Sequence, residues 1–129
     1  MVFNTNKKMK KILIIEDEMA LQESLGGLLS EKGYQVISAL DGETGLNLAK
    51  KENPDLILLD LILPKMSGFE VLEELKKDLK TKEIPVIVLT NLEGIGDVEK
   101  VIALGAKSYL VKAEYTLEEV VEKIEKALK

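Results

Sequence analysis

A lone carboxylate lies inside an apolar run of the sequence. Asp60 is preceded by Leu-Ile-Leu-Leu and followed by Leu-Ile-Leu in the segment DLILLDLILP, residues 55–64. Burying an isolated ionised carboxylate is costly unless it is paired or bound to a metal. Asp60 must therefore leave the core or carry a charge that has a use, and the elements around it decide between the two.

Short β-type runs alternate with amphipathic segments along the whole chain. Apolar and β-branched residues favour strands, and nearly continuous apolar runs are typical of a parallel sheet covered on both faces. Between these runs the hydrophobic period becomes helical. Five such β-then-α units predict a doubly wound, five-stranded parallel sheet with helices on both faces. The predicted strands are residues 12–15, 35–38, 56–59, 86–89 and 108–111.

Local signals mark where the helices begin and end. Asp41 is a possible N-cap of the second helix, and Ser67 and Thr116 begin capping boxes with a Glu three positions later. The third helix is predicted to present an apolar face that reaches Leu79. The pair Gly26-Gly27 inside the first helix is unfavourable, and close packing against a strand or a partner is a hypothesis for it.

The carboxyl ends of the predicted strands carry most of the polar residues that could do chemistry. Ligands of such sheets bind beyond these ends. Glu16 and Asp17 follow the first strand, Asp60 follows the third, Thr90 the fourth and Lys112 the fifth. Because parallel strands end at the same edge, we expect these side chains to lie together.

This set of residues predicts phosphoryl chemistry. Clustered carboxylates raise one another's pKa values, and a hard cation with oxygen ligands, Mg²⁺, removes that conflict. Asp60 can then remain ionised and attack a phosphoryl group to give an acyl phosphate. The Thr90 hydroxyl and the Lys112 ammonium can hold the new phosphoryl oxygens.

Composition excludes several other classes of protein. The 129 residues include no Cys and no His, which excludes disulfides, thiol nucleophiles, His ligands and phosphohistidine within this chain. A net charge of -5 without a basic stripe argues against direct nucleic-acid binding. The apolar run after the N-terminal lysines is too short for a signal peptide or a membrane span. We expect a cytoplasmic protein with a lead-in at residues 1–10 and one domain at 11–129, ending with its fifth helix and leaving no room for an output domain.

Four segments resemble the receiver domain of two-component response regulators: KILIIEDE, PDLILLDLILPKMSGFEVLEELK, IPVIVLTN and GAKSYLVKA. The resemblance runs from residue 11 to about residue 128, and the pattern of Asp60, Pro64 and Gly68 with Thr90 and Lys112 downstream is its most specific part. It implies a stand-alone CheY-like receiver with the flavodoxin-like strand order 2-1-3-4-5. It also implies that the phosphoryl donor is a histidine kinase or a histidine phosphotransfer protein.

The resemblance also implies a role for each site residue. Asp60 is the phosphoacceptor, and Mg²⁺ is bound by Asp17, Asp60 and the backbone carbonyl of Ile62. Glu16 assists, directly or through water. Thr90 and Lys112 hold the phosphoryl oxygens. Tyr109 matches the switch aromatic, which turns inward when Thr90 moves, and output by protein contact through the fourth helix, fifth strand and fifth helix follows by analogy.

Three positions depart from the family pattern. Glu16 stands where Asp is commoner, and Asn91 stands where a small residue is usual. Ala113 replaces the usual Pro after Lys112, which argues against a cis peptide bond there because a non-proline cis bond costs about 3 kcal/mol. These departures bear on the metal contact of Glu16, the access of phosphodonors and the lifetime of the phosphoryl group.

We expect a receiver that is not a turnover enzyme. Two other classes of function are alternatives to it. A Mg²⁺-dependent phosphatase of the haloacid dehalogenase type needs a second Asp two positions after the nucleophile, where this chain has Ile62. A flavodoxin-like cofactor carrier needs a first loop that cradles phosphate, and the acidic triplet at residues 16–18 repels it.

Overall fold

The computed structural model describes residues 9–129, so most of the predicted lead-in lies outside the described residues. Five parallel strands form one sheet in the order β2-β1-β3-β4-β5, as predicted. The strands are β1 (Lys11–Ile15), β2 (Gln35–Ala39), β3 (Leu56–Leu59), β4 (Val86–Thr90) and β5 (Ser108–Val111). The helices are α1 (Met19–Glu31), α2 (Gly42–Glu52), α3 (Gly68–Lys77), α4 (Ile95–Ala103) and α5 (Leu117–Ala127), with a short 3₁₀ turn at Lys112–Glu114.

Alternating side chains of the strands fill two cores, one on each face of the sheet. In β1, Leu13 and Ile15 point to one face while Ile12 and Ile14 point to the other, and all four are buried. Helices α2, α3 and α4 cover the first face, and α1 and α5 cover the second. Strand β3 lies at the centre with every residue buried, so its carboxyl end opens between both helical layers.

The predicted helix starts are confirmed. The Asp41 carboxylate accepts a hydrogen bond from the Thr44 amide at 2.7 Å, and complete capping boxes begin at Ser67 and Thr116. These bonds satisfy amides that have no partner within the helix. The three helices that they start are α2, α3 and α5. No helix in residues 9–129 has the length and apolar character needed to cross a membrane.

The predicted apolar face of the third helix was one turn too long. Helix α3 ends at Lys77, and Leu79 is 81% exposed. Asp78 adopts extended backbone and accepts a hydrogen bond from the Lys80 amide. Buried Thr81 then donates its hydroxyl to the Leu75 carbonyl at 2.7 Å, so the chain turns back before Leu79 can reach the core.

Close packing does not account for Gly26 and Gly27. A Cβ atom on Gly26 would lie 3.6 Å from a methyl group of Val36, which is ordinary contact, and a Cβ on Gly27 would meet nothing within 4 Å. Gly45 of α2 differs, because its Cβ would lie 2.6 Å from the Ile15 side chain. The hypothesis of close packing against a strand is therefore wrong for this pair within the described residues.

Replacing Gly27 by Ala is expected to stabilise the protein. Ala is favoured over Gly in a helix interior by about 1 kcal/mol, and the new methyl group meets no atom of residues 9–129 within 4 Å. Urea denaturation should show a higher midpoint for Gly27→Ala and a lower one for Gly45→Ala, the matched helical control. A destabilised Gly27→Ala would show that this glycine has a packing role.

Candidate functional site

The carboxyl ends of β1 and β3 bring two acidic residues side by side. The backbone amide of Glu16 donates to the Ala39 carbonyl at 3.0 Å, and that of Asp60 donates to the Ile15 carbonyl at 3.0 Å. The ladder thus continues one residue past each strand and fixes where both side chains leave the sheet. Both are almost completely buried, so Asp60 does not escape the core.

Glu16, Asp17 and Asp60 form one acidic cluster. A carboxylate oxygen from each lies within 4.8 Å of the others, and Asp17 is the exposed member. Three carboxylates this close repel one another unless a cation or a proton intervenes. All the donor atoms are oxygens, the set that Mg²⁺ prefers, so these residues fit the predicted metal.

Lys112 is the cation of this site. Its Nζ atom lies 2.8 Å from Glu16 Oε1, 2.9 Å from Asp60 Oδ2 and 2.6 Å from Glu18 Oε1. Burial by itself lowers the pKa of Lys112, but hydrogen bonds to the three carboxylates outweigh burial and hold that pKa above its ordinary value. The ammonium therefore stays charged, and it already contacts the proposed nucleophile.

Burial dominates the ionisation of Glu16. It raises the pKa of Glu16 from 4.5 to about 7, and the charge of Asp60 adds to the rise. The hydrogen bonds from Lys112 and from the Glu18 amide offset only part of this rise. The environment of Glu16 therefore opposes ionisation of its carboxyl group near neutral pH.

Thr90 is the last residue of β4, the strand next to β3, and its hydroxyl is unused within the described residues. The residue is 0% exposed, and its Oγ1 atom has no hydrogen-bond partner within residues 9–129. A buried polar atom without a partner is unfavourable. The hydroxyl is consequently free to bind an acceptor that arrives at this edge of the sheet.

The loop after Asp60 depends on Gly68. The Ile62 amide donates to Asp60 Oδ1 at 3.3 Å, and the Gly68 amide donates to the Leu61 carbonyl at 2.9 Å. A Cβ atom on Gly68 would collide with the Asp60 backbone carbonyl. The start of α3 can approach Asp60 only because residue 68 is glycine, which gives a physical reason for this part of the sequence pattern.

Tyr109 lies two residues before the end of β5 and is half-buried. Its hydroxyl donates to the Leu92 carbonyl at 2.7 Å, which ties β5 to the loop between β4 and α4. The ring also packs against the core under α4. The hydrogen bond and the packing together define the position of the Tyr109 ring, the predicted switch residue, in this structure.

The two remaining departures from the family pattern lie close together. All peptide bonds of the described residues are trans, including the one between Lys112 and Ala113. Asn91 is exposed and lines an open groove of about 450 Å³ together with Glu18, Lys112 and Ala113.

Two contributions to the site were missed in the sequence. Glu18 was noted only as part of the acidic triplet, although it binds Lys112. Gln22 is buried and donates to backbone carbonyls at the ends of β1 and β2. The available sign was spacing, because Gln22 occupies the same helical stripe as Leu25 and Leu29, where an apolar residue is expected.

Known proteins resemble this chain in sequence and in fold. Residues 12–125 match the sequence profile of the response regulator receiver domain. The probable transcriptional regulator ycf27 of Porphyridium aerugineum is 44% identical over 80% of this chain and 42% of its own length. A CheY-like receiver domain protein from Methanospirillum hungatei superposes with a TM-score of 0.87 at 30% identity, covering 94% of both chains.

A further similar structure is the Mn²⁺-bound form of the response regulator Rcp1. It is 35% identical with a TM-score of 0.80, covering 90% of this chain and 91% of Rcp1. The chain spans about four tenths of the length of the first curated relatives that it matches.

The raised pKa of Glu16 predicts how stability depends on pH without metal. The pKa of Glu16 in the folded protein, about 7, exceeds its ordinary value of 4.5. Between these two values the folded state binds more protons than the unfolded state, so the free energy of unfolding falls as pH rises from about 4.5 to about 7. The loss from this group is at most about 3 kcal/mol. Asp41, whose pKa is lowered from 3.8, acts below this window.

Urea denaturation in EDTA at pH 5 and pH 7.5 measures this effect. Glu16→Gln should lose less stability between the two values than the wild type, and exposed Glu23→Gln should behave as the wild type. Equal losses in Glu16→Gln and the wild type would show that Glu16 does not carry the pH dependence.

Proposed function

This chain belongs to the response regulator receiver domain family, and we propose that Asp60 is its phosphoacceptor. Receiver domains are the phosphoacceptor modules of two-component systems, and they act between histidine kinases and downstream effectors. The observation that carries the assignment is the position of Asp60. Its carboxylate ends the central strand, is buried, and lies 2.9 Å from Lys112 and within the acidic cluster.

We propose that the acidic cluster binds Mg²⁺. Asp17, Asp60 and the carbonyl of Ile62 would hold the ion, and Glu16 would assist directly or through water. The ion supplies positive charge that neutralises the carboxylates and the incoming phosphoryl oxygens. The divalent cation named for Rcp1 supports the assignment by similarity.

The side chains divide the work of phosphoryl transfer. An oxygen of Asp60 forms a bond to phosphorus while the bond from phosphorus to the partner's histidine nitrogen breaks, and the electron pair of that bond returns to the imidazole. Lys112 contacts Asp60 and can follow the phosphoryl oxygens. The unused Thr90 hydroxyl gains an acceptor among them. Positioning and charge stabilisation are the main catalytic effects in phosphoryl transfer.

We propose that the chain assists its own phosphorylation and dephosphorylation without acting as a turnover enzyme. A phosphatase of the haloacid dehalogenase type needs an acid two positions after Asp60, and Ile62 with its exposed side chain stands there. A flavin carrier needs a first loop suited to phosphate. Here the carboxylates of Glu16 and Asp17 lie close to Asp60, and together they would repel phosphate.

The output of the chain is proposed to be contact with a downstream protein rather than with nucleic acid. The net charge of -5 favours this choice. Helix α4 exposes Ile95 and Ile102 beside β5, where Tyr109 lies. The proposed signalling surface is therefore α4, β5 and α5, with a histidine kinase or phosphotransfer protein as donor and the cytoplasm as location.

Incubation with acetyl phosphate and Mg²⁺ tests the phosphoacceptor. Intact mass should rise by one phosphoryl group in the wild type and not in Asp60→Asn, because the substitution removes the proposed nucleophile, which follows the central strand β3 and contacts Lys112. EDTA should prevent labelling, and Asp17→Asn should reduce it strongly. Unfolding curves should show that Asp60→Asn still folds, since the substitution relieves carboxylate repulsion.

Each alternative gives a different result in that experiment. Stoichiometric labelling of Asp60→Asn would place the phosphoacceptor elsewhere. Catalytic release of phosphate from many substrates would indicate a phosphatase, and a yellow protein as isolated would indicate a flavin carrier.

The signalling step is expected to couple Thr90 to Tyr109. Binding of the Thr90 hydroxyl to a phosphoryl oxygen should vacate space beside β5, and the Tyr109 ring should then give up its hydrogen bond to Leu92 and turn inward. A complete shift from 1:99 to 99:1 needs about 5.5 kcal/mol, which charge-assisted hydrogen bonds and metal coordination can largely supply. Structures with and without beryllium fluoride, a phosphate mimic, measure the ring position.

Thr90→Ala is the control for this coupling. It removes the hydroxyl and should leave Tyr109 bound to Leu92 even with beryllium fluoride present. A Tyr109 ring that holds one rotamer in both states, or that turns fully in Thr90→Ala, would exclude this coupling as the signalling step.

A further inference from the structure

Gln22 is a buried polar residue on the inner face of α1. The residue is 6% exposed and shares its stripe with the buried Leu25 and Leu29. Its Nε2 atom lies 2.9 Å from the carbonyl of Ile14, 3.1 Å from that of Glu16 and 2.9 Å from that of Ala39. Its Oε1 atom has no hydrogen-bond partner within residues 9–129.

The contacts of Gln22 are unusual for a helix residue that merely packs. An amide nitrogen carries two hydrogens, so three carbonyl oxygens divide two donors among them. An apolar side chain would fill the same space and avoid the unsatisfied Oε1 atom, whose burial is unfavourable. The contacts with three carbonyls, rather than packing alone, therefore account for a glutamine at this position.

Those donors act on the backbone that carries the acidic cluster. Ile14 and Glu16 flank the last residue of β1, so Gln22 holds the chain on both sides of that residue. The Ala39 carbonyl accepts from both Gln22 and the Glu16 amide. The direction in which the chain leaves β1 at Glu16 is thus fixed from α1 and from β2 at once.

We propose that Gln22 is a positioning residue for the divalent cation, which rests on the function proposed above. It holds the backbone at Glu16 so that the carboxylates of Glu16 and Asp17 stay close to Asp60, and it thereby sets the affinity for Mg²⁺. Gln22 touches neither the ion nor the phosphoryl group. Residues that orient metal ligands in this way commonly change metal affinity by 10- to 100-fold when they are replaced.

The variant Gln22→Met tests this role. Methionine has a similar length and suits an apolar face, but it offers no donor to the three carbonyls. Gln35→Met, at an exposed position of β2 far from the carboxyl edge, is the matched control. Isothermal titration with Mg²⁺ alone should give a dissociation constant at least about tenfold higher for Gln22→Met and an unchanged one for Gln35→Met.

A second measurement separates positioning from general weakening of the fold. Labelling by acetyl phosphate should slow in Gln22→Met at limiting Mg²⁺ and recover at saturating Mg²⁺, because Asp60, Thr90 and Lys112 are intact. A residue that only stabilises α1 would lower the unfolding midpoint and leave the Mg²⁺ dissociation constant unchanged. That result would overturn the proposal.

Gln22→Asn covers the case in which Gln22→Met does not fold. It keeps the amide but is one methylene shorter, so it cannot reach all three carbonyls, and its Mg²⁺ affinity should also fall. Wild-type affinity in a folded Gln22→Asn would overturn the proposal. Absence of Mg²⁺ binding by the wild type would instead refute the proposed metal site, and the role of Gln22 with it.

Discussion

The burial of two carboxylates next to a third at one edge of the sheet is the constraint on which the site depends. Glu16 and Asp60 are almost completely buried and Asp17 lies next to them. Lys112 is the ammonium that contacts the two buried members. Burial, the largest effect, and the nearby charge of Asp60 raise the pKa of Glu16 to about 7, because the hydrogen bond from Lys112 offsets only part of the rise. The carboxylate oxygens at this edge therefore fit a further cation such as the proposed Mg²⁺.

The parallel sheet creates this constraint and also makes it predictable. Each strand ends at the same edge, so the residue after each strand is fixed in space once the strand is recognised. The five predicted strands differ from the observed ones by at most one residue at an end. The acidic cluster and Lys112 consequently lie together at one edge of the sheet, and Thr90 is the last residue of β4. Capping boxes were equally predictable, since Ser67 and Thr116 act on residues only three positions away.

Tertiary contacts explain what the sequence did not predict. Leu79 continues the helical period of α3, but Thr81 binds the Leu75 carbonyl and the chain turns away from the core. Gln22 has the spacing of a core residue, and its use becomes visible only when β1 and β2 bring three carbonyls to its amide. Both cases involve hydrogen bonds to backbone atoms of other segments, which side-chain periodicity does not encode.

The contacts of Lys112 with Glu18 and Asp60 differ in a way that matters for phosphoryl transfer. The Glu18 side chain is 58% exposed, whereas that of Asp60 is 6% exposed. An exposed ion pair is screened by water and contributes little, so Lys112 can leave Glu18 at small cost. The proposed phosphorylation would add negative charge at Asp60, deep in the site, where attraction is least screened. That charge would draw Lys112 further inward, and the phosphoryl oxygens would offer acceptors to the Thr90 hydroxyl, which has no hydrogen-bond partner within residues 9–129. The partly buried Lys112 ammonium and the buried Thr90 hydroxyl would therefore both act where the proposed new charge forms.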